Sequence, residues 1–301
     1  MKVRAPGKVL LTGAYAVLEG APALVVAVDR YAEADPSRPA ESPNAEVTEA
    51  LGEHAPFCDA TPLYCEGKKL GLGSSAAVLV ASLGADAILR GKNLDDPDVR
   101  SEIFARARDA HARVQSGGSG VDVAASTYGG TLRYALHAGR PWVVHTVLPD
   151  DLLFAVYFSG KSARTSELRA KVLQAKASDP DGHRRHSIDL ARTSEFAAET
   201  CEAGSSREFI AAVRLFAEAL DRLGEFADAP IVPLSFKRLA VAASEEDAVF
   251  FPSGAGGGDV GVFLGKNTPS ENFSKRAAVL GMQLLSVGID RGGLRVSEAG
   301  S

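Results

Sequence analysis

The sequence lacks a surplus of basic residues, and it lacks any apolar run long enough to cross a membrane as a helix. Its 301 residues include 33 lysines and arginines against 38 aspartates and glutamates, a formal net charge of −5. A general nucleic-acid-binding surface needs excess positive charge. The longest apolar runs, such as residues 21–28 and 76–83, fall far short of the ~20 residues that span a bilayer. We therefore expect neither nucleic acid nor membrane among the partners.

Cysteine is scarce, and the first residues do not resemble a secretion signal. Cys58, Cys65 and Cys201 form no CxxC pair and lie near no histidine cluster in the sequence, which disfavours a metal site. The N-terminus lacks the apolar stretch of ~7–15 residues that a signal peptide carries. Reduced thiols in a cytoplasmic protein are the favoured interpretation. The sequence carries no signal for an oligomeric state.

Glycine, in contrast, is abundant and unevenly placed. There are 30 glycines, about 10% of the chain against a usual ~7%. They gather in three clusters, at residues 71–77, 117–122 and 253–259, and the chain has no internal repeat. Each cluster lies between segments with a clear pattern, so none is typical of a linker.

The pattern of apolar residues places these clusters between helices and strands. Strands are predicted at residues 9–11, 23–28, 131–136, 142–147, 152–158, 248–251 and 260–264, and helices at 74–89, 96–114 and through most of 165–223. Residues 35–43, rich in proline, predict a surface loop. The composition shifts near residue 150, which we interpret as a domain boundary.

The first cluster runs directly into a predicted helix. Glycines allow a tight turn and close approach to a ligand, and the start of a helix offers unpaired N–H groups with partial positive charge. Together these bind phosphate. Ser74 and Ser75 can cap the helix, touch phosphate or reach a magnesium ion. The motif is neither a Walker loop nor a dinucleotide fingerprint, and a plain capped helix stays open as the alternative.

The other two clusters are ambiguous when taken singly. Asp122 follows a glycine-serine turn at a predicted helix start, where an acid commonly compensates the helix dipole. The third cluster has four glycines in the five positions 254–258, more than a hairpin needs. Such a density indicates that a phosphate chain or another loop lies against the backbone. A flexible loop is the alternative.

Taken in order, three segments resemble the signature motifs of the GHMP kinase superfamily. The segments are Ala5-Pro6-Gly7-Lys8-Val9-Leu10-Leu11-Thr12-Gly13, Gly71-Leu72-Gly73-Ser74-Ser75-Ala76 and Ser253–Gly258. Within the superfamily, the details are most similar to the phosphomevalonate kinases. These details are Tyr15-Ala16-Val17-Leu18, the run from Ala110-His111 to Gln115 and Gly118–Ala124, the loop Ser159–Ala163 with Thr165-Ser166, and Asp259 at the end of the third motif.

The resemblance implies an α+β, two-domain fold with the active site in the interdomain cleft. The N-terminal domain, residues 1–150, would be similar to ribosomal protein S5 domain 2 and would bind the nucleotide. The C-terminal domain, residues 151–301, would be ferredoxin-like.

The resemblance also implies ATP, Mg²⁺ and phosphomevalonate as ligands and an assignment of residues. Lys8 and Asp122 would be catalytic. Gly71, Leu72, Gly73, Ser74, Ser75 and Ala76 would cradle the ATP phosphates, with Ser74 or Ser75 on Mg²⁺. The acceptor would contact Lys8, Ser119, Gly120, Asp122, Lys161, Ser162, Arg164, Thr165, Ser166, Ser253, Gly254, Ala255 and Gly256. Lys68 and Lys69 are further candidate cations, or a solvated pair.

Two departures from the family pattern keep alternatives open. Ala14 stands where the family normally has glutamate, and the segment between residues 30 and 70 is short. The alternatives are a kinase of mevalonate or of another small molecule, and a catalytically silent ligand-binding homologue. His111 either packs on a helix face or contacts a ligand.

Overall fold

The computed structural model describes residues 1–115, 117–162 and 165–297, which form two compact units. The first contains Met1–Val9, Val25–Leu132 and the residues from Gly288 onward, and the second contains Leu10–Leu24 and Arg133–Val287. The chain passes from one unit to the other within three of its strands. Packing therefore groups the residues differently from a single boundary at residue 150, and the family domains 1–150 and 151–301 stay a prediction.

The first unit is built on a sheet in which strand β2 is central. β1 (Val3–Thr12) lies between β12 (Arg295–Val296) and β2 (Ala23–Pro39), and β3 (Pro56–Asp59) also pairs with β2. Residues 23–28 are buried throughout, which confirms the predicted buried strand. A small hairpin of β4 (Tyr64–Cys65) and β5 (Lys68–Lys69) follows.

The predicted loop at residues 35–43 is wrong over its first half, because residues 35–39 continue β2. Asp35 pairs with Phe57 and Pro39 with Pro56, with a register shift between the two pairs. A proline is tolerated at such an irregularity, where its missing N–H breaks no regular ladder bond. Proline content thus predicted a loop where an irregular strand forms.

The helices of the first unit are α1 (Ala45–Leu51), α2 (Ser74–Leu89), α3 (Pro97–Val114) and α4 (Val121–Tyr128). The predicted bounds of α2 are confirmed. α3 begins one residue later than predicted because Asp96 is its N-cap, whose side chain accepts the Asp98 N–H. The expectation that a serine caps α2 is wrong. The N-cap is Gly73, in the left-handed conformation, and Ser74 and Ser75 are already helical.

A buried carboxylate holds the C-terminal segment in place. Asp290 is 4% exposed and accepts hydrogen bonds from the Tyr31 hydroxyl at 2.8 Å and from Arg295 at 2.6 Å. Burial by itself raises the pKa of Asp290, but these bonds outweigh it, so the pKa lies below its usual range. The Leu294 N–H donates to the Thr127 carbonyl at 3.1 Å. The segment therefore also braces the C-terminal end of α4.

The second unit contains an antiparallel sheet in the order β11-β8-β10-β9. Its strands are β8 (Leu153–Phe158), β9 (Val249–Pro252), β10 (Val260–Gly265) and β11 (Gln283–Leu285), while β6 (Thr131–His137) pairs with β7 (Arg140–Thr146). The helices are α5 (Thr165–Ser178), α6 (Pro180–Glu202), α7 (Ser206–Phe226), α8 (Leu234–Ser244) and α9 (Glu271–Val279). These elements confirm the predicted strands, to within two residues, and the helical region after residue 165.

An aromatic cluster forms a core of the second unit. Tyr157, Phe236, Phe250, Phe263 and Phe273 are all buried and pack together, with ring centroids 4.9–6.0 Å apart in the contacting pairs. Such aromatic pairs stabilise a core beyond the area that they bury. The mixture of antiparallel sheets and helices confirms the predicted α+β class. No helix in the described residues is both long and apolar enough to cross a membrane.

Two of the three thiols are expected to resist alkylation in the folded protein. Burial raises the pKa of Cys58 to about 12 and that of Cys201 to about 11, so at pH 8 only ~10⁻⁴ and ~10⁻³ of these groups are thiolate, the reactive form. Labelling with iodoacetamide followed by mass spectrometry should show slow modification of both residues, faster at higher pH. In guanidinium all three cysteines should react, which is the control. Rapid labelling of Cys201 in the native protein would contradict this prediction.

Candidate active site

Lys8 and the first glycine cluster form one packed arrangement in the first unit. The Lys8 main-chain N–H donates to the Leu72 carbonyl at 2.8 Å, and Lys8 Nζ lies 3.5 Å from the Gly71 carbonyl oxygen. Gly73 has φ 75°, and a Cβ at this position would lie 2.9 Å from Lys8 Cγ. The lysine stem therefore lies along Gly73, which explains why a residue without a side chain stands there.

The start of α2 lies beside this lysine and is suited to an anion. In the described part of the chain no side chain caps this terminus, so its first N–H groups are open to a ligand. Ser74 is 7% exposed, Ser75 is half-buried and Ala76 is buried. The partial positive charge of the helix end and the full charge of Lys8 act on the same small volume. The arrangement can hold a phosphate group.

Asp122 lies in the first turn of α4, after the second glycine cluster. The helix begins after Gly120, which has φ 80°, and the Ser119 hydroxyl oxygen accepts the first helical N–H at 3.3 Å. Asp122 Oδ1 accepts the Val123 main-chain N–H at 3.0 Å. Asp122 Oδ2 lies 3.5 Å from Nε2 of His111, near the end of α3. The carboxylate is thus approached by donors from two helices.

A buried serine connects the helix of Asp122 to the strand of Lys8. The Ser126 hydroxyl donates to the Pro6 carbonyl at 2.8 Å. Ser126 lies one turn after Asp122, and Pro6 lies two residues before Lys8, so this bond ties the helix to the strand close to both residues. The sequence alone offered no signal for Ser126, since its partner is a main-chain carbonyl 120 residues away.

The third glycine cluster is held by residues in and just after the first motif, within the second unit. The Ser253 hydroxyl oxygen is buried and accepts the Leu10 main-chain N–H at 2.9 Å. The Tyr15 hydroxyl donates to the Ala255 carbonyl at 2.9 Å. Leu10 belongs to the first motif and Tyr15 follows that motif by two residues, so the first and third motifs are in direct contact.

Two glycines of this cluster are required by the protein itself. Gly254, Gly256 and Gly257 all have φ of 75–78°. A Cβ on Gly256 would lie 2.0 Å from the Ile231 carbonyl oxygen, and one on Gly257 would lie 2.7 Å from a methyl carbon of Leu168. The density of glycines predicted a phosphate chain or another loop against this backbone. At these two positions the neighbour is another part of the chain.

The loop before α5 is tied to the same cluster through Asp259. The Asp259 N–H donates to the Lys161 carbonyl at 2.8 Å, and the Ser159 N–H donates to the Asp259 carbonyl at 2.8 Å. The Ser159 hydroxyl also donates to the Lys161 carbonyl, at 3.1 Å. The exposed side chain of Lys161 is thus carried on a backbone that is fixed to the third motif.

The remaining residues predicted for the acceptor lie at or near the start of α5. Ser162 is exposed, and Thr165 and Ser166 are exposed residues of the first turn of this helix. Arg164 lies outside the described residues. Because Leu168 in the same helix contacts Gly257, the start of α5 lies next to the third cluster.

Tyr15 is a site residue to which the sequence motif assigned no role. Its φ is 63°, a conformation that residues with a side chain adopt rarely and that indicates strain held by surrounding structure. Burial raises the pKa of its hydroxyl far above the usual value, so it remains a donor to the third motif. Ala14 beside it is 5% exposed. At the position where the family normally has glutamate, this chain therefore has a small, buried side chain without a carboxylate.

Lys68 and Lys69 are exposed residues of strand β5, which ends two residues before Gly71. Among the described residues, histidine, cysteine and carboxylate side chains form no group of three that could hold a metal ion.

Comparison with known proteins relates this chain to a family of kinases. The family model described as "GHMP kinases N terminal domain" matches residues 64–130. This segment carries the first glycine cluster and Asp122. The crystal structure of phosphomevalonate kinase from Streptococcus pneumoniae, in complex with phosphomevalonate and AMPPNP, has the same fold. Its TM-score is 0.81 at 22% identity, over 96% of this chain and 99% of that one. The match to the GHMP kinase family model and the similarity to phosphomevalonate and mevalonate kinases support an ATP-dependent kinase.

Two curated relatives differ in how much of this chain they match. A phosphomevalonate kinase from a Streptomyces species is 28% identical over 86% of this chain and 88% of its own length. A mevalonate kinase from Methanothermobacter thermautotrophicus is 30% identical over 53% of this chain and 58% of its own length. The similarity to the phosphomevalonate kinase thus extends over far more of both chains.

Proposed function

We propose that this kinase transfers the γ-phosphoryl group of ATP to the phosphate of (R)-5-phosphomevalonate, giving 5-diphosphomevalonate and ADP. The observation that carries the proposal is the similarity to the Streptomyces phosphomevalonate kinase along 86% of this chain. This span is long enough to include both the nucleotide motifs and the loops at Lys161 and Ser253. The mevalonate pathway would be the setting, and a cytoplasmic location stays a prediction.

The reaction brings two polyanions together, so positive charge and alignment are its main requirements. Phosphate groups a few ångströms apart repel strongly unless cations and dipoles screen them. We assign Lys8 to the phosphates at the point of transfer. Gly71–Ala76 and the start of α2 bind the ATP phosphates through main-chain N–H groups. The 3.5 Å contact of Lys8 Nζ with the Gly71 carbonyl places the ammonium beside that loop.

Mg²⁺ is assigned to the hydroxyl oxygens of Ser74 or Ser75. Magnesium prefers oxygen ligands and commonly combines few protein ligands with water and phosphate oxygens, so a serine at the start of α2 fits it. When bound with ATP, Mg²⁺ neutralises phosphate charge. The residues themselves keep the nucleotide phosphates in register with Lys8.

Asp122 acts as a positioning group in this proposal. A phosphomonoester has a second pKa near 6, so the acceptor is already mostly a dianion at pH 7 and leaves little for a base to remove. Both oxygens of Asp122 already have neighbouring donors. The carboxylate is therefore better suited to orienting a cation such as Lys8 than to accepting a proton.

In the second unit, the acceptor is assigned to two neighbouring loops. Ser253, Gly254, Ala255 and Gly256 supply the third motif, and Lys161, Ser162, Arg164, Thr165 and Ser166 supply the neighbouring loop. The bonds of Asp259 to this loop support a shared role for the two segments. Lys161 gives the local positive charge that an acceptor phosphate needs, although the whole chain is acidic.

Mevalonate is the second candidate acceptor, favoured by the 30% identity to the Methanothermobacter mevalonate kinase. Mevalonate presents an alcohol, which does need a base. With that acceptor, loss of Asp122 would lower the rate by ~10²–10⁴-fold, the usual contribution of a general base.

A coupled assay of ADP release tests the proposal with phosphomevalonate, with mevalonate and without acceptor. We expect kcat/KM for phosphomevalonate to exceed that for mevalonate by at least ~100-fold, because a pocket built for the phosphate leaves its polar groups unpaired with the alcohol. A preference for mevalonate would contradict the acceptor. No turnover with either compound, despite nucleotide binding, would contradict the reaction.

A further inference from the structure

We propose that His111 is a positioning residue that holds the Asp122 carboxylate in its working orientation. The proposal rests on the proposed function, since it assigns Asp122 to the site of transfer. The His111 side chain is 12% exposed and the Asp122 side chain 22%. The pair is therefore largely shielded from water. Two polar groups interact more strongly in such an environment than they do in water.

Among the described residues, a carboxylate lies beside one nitrogen of the ring. Nε2 lies 3.5 Å from Asp122 Oδ2. Nδ1, on the other side, is buried and has no hydrogen-bond partner among the described residues. A proton on Nε2 would have a carboxylate within reach, whereas a proton on Nδ1 would have no described acceptor. We therefore assign the proton of the neutral ring to Nε2.

The C-terminal end of α3, which carries His111, is held by contacts with α1. Gln115, one turn after His111, donates to Glu46 Oε1 at 2.6 Å, and Arg113 contacts Glu49 at 2.6 Å. Glu46 is 5% exposed. Because these contacts anchor the end of α3, the imidazole is presented to Asp122 from a rigid support.

The two contacts of Asp122 divide the work of orienting it. Oδ1 accepts the Val123 N–H within α4, and Oδ2 faces His111. Without the imidazole, the contact within its own helix is the one left to Asp122 among the described residues of the free protein, and the carboxylate would rotate more easily. Displacing a group at a reacting centre by about 1 Å can lower the rate by about 100-fold.

Replacement of His111 separates a positioning role from a packing role. We expect His111→Leu, which keeps apolar volume but has no donor, to lower kcat by about 10–100-fold with KM for ATP changed less than about 3-fold. His111→Gln retains an N–H group at similar reach and should recover most of the loss. His183→Leu is the matched control, because His183 is also buried but lies outside the proposed site. Thermal unfolding of each variant checks that it folds.

A spectroscopic readout makes the test independent of turnover. The ring-nitrogen signals of His111, assigned by their absence in His111→Leu, should shift in Asp122→Asn, because the partner of Nε2 changes from carboxylate to amide. An unchanged ring signal overturns the proposal whatever the kinetics. Equal losses in the Leu and Gln variants also overturn it. If no acceptor is phosphorylated, the ring signal alone decides, so failure of the proposed function and failure of this contact are distinguishable.

Discussion

Lys8→Met is expected to lower kcat by at least ~10³-fold while the protein remains folded. In phosphoryl transfer a single cation aimed at the developing charge contributes ~10³–10⁵ in rate. Methionine retains an apolar stem of similar shape but has no charge. The stem of Lys8 packs along Gly73, so we expect this packing to survive and the melting temperature to change little.

Lys2→Met is the matched control for this variant. Lys2 precedes the same strand, but its side chain is 53% exposed and lies 3.6 Å from Glu33, a surface pair of small energetic value. Its replacement should leave kcat within about 2-fold. The measurements are kcat and KM for ATP by ADP release, with thermal unfolding. Retention of more than a tenth of kcat in Lys8→Met would remove Lys8 from the site of transfer.

Gly256→Ala is expected to lower the free energy of unfolding by about 3–5 kcal/mol, among the larger effects of a single substitution. Gly256 has φ 78°, which alanine adopts at a cost of about 1–2 kcal/mol. In addition, the new Cβ would lie 2.0 Å from the Ile231 carbonyl oxygen. This oxygen also accepts the Gly257 N–H at 2.8 Å, so moving it to relieve the overlap weakens a hydrogen bond.

Gly204→Ala separates the overlap from the backbone conformation. Gly204 has φ 76°, and a Cβ there would meet no described atom within 4 Å. Its replacement should therefore cost only about 1 kcal/mol. Urea unfolding of both variants measures the difference. Equal losses would mean that the contact with Ile231 is relieved without cost, and that the third cluster is not held in the way the structure shows.

Much of the local structure followed from the pattern of residues. The helix at residues 74–89 was predicted with its observed bounds, because a run of alanine, leucine and valine without proline has one favourable conformation. The strand at residues 23–28 was predicted from an unbroken apolar run. Predictions were wrong where local composition competes with pairing. Proline in residues 35–39 indicated a loop, but β3 supplies a partner that maintains the strand.

The candidate site could likewise be predicted only in part from the sequence. Lys8, Asp122 and the three glycine clusters were identified from spacing and from the family resemblance. The contacts that position them, such as Tyr15 with Ala255 or His111 with Asp122, were not. These pairs join residues that are distant in sequence or on different helices, and nothing in the residue types states which atoms meet.

The sequence by itself determined which segments turn, because turns depend on glycine at short, fixed spacing, and its resemblance to a known family indicated the class of reaction. Only the tertiary structure decided why each glycine stands where it does. Gly73 leaves room for the stem of Lys8, and Gly256 leaves room for the carbonyl of Ile231. Such reasons depend on atoms brought together by packing, and packing joins residues that local sequence does not relate.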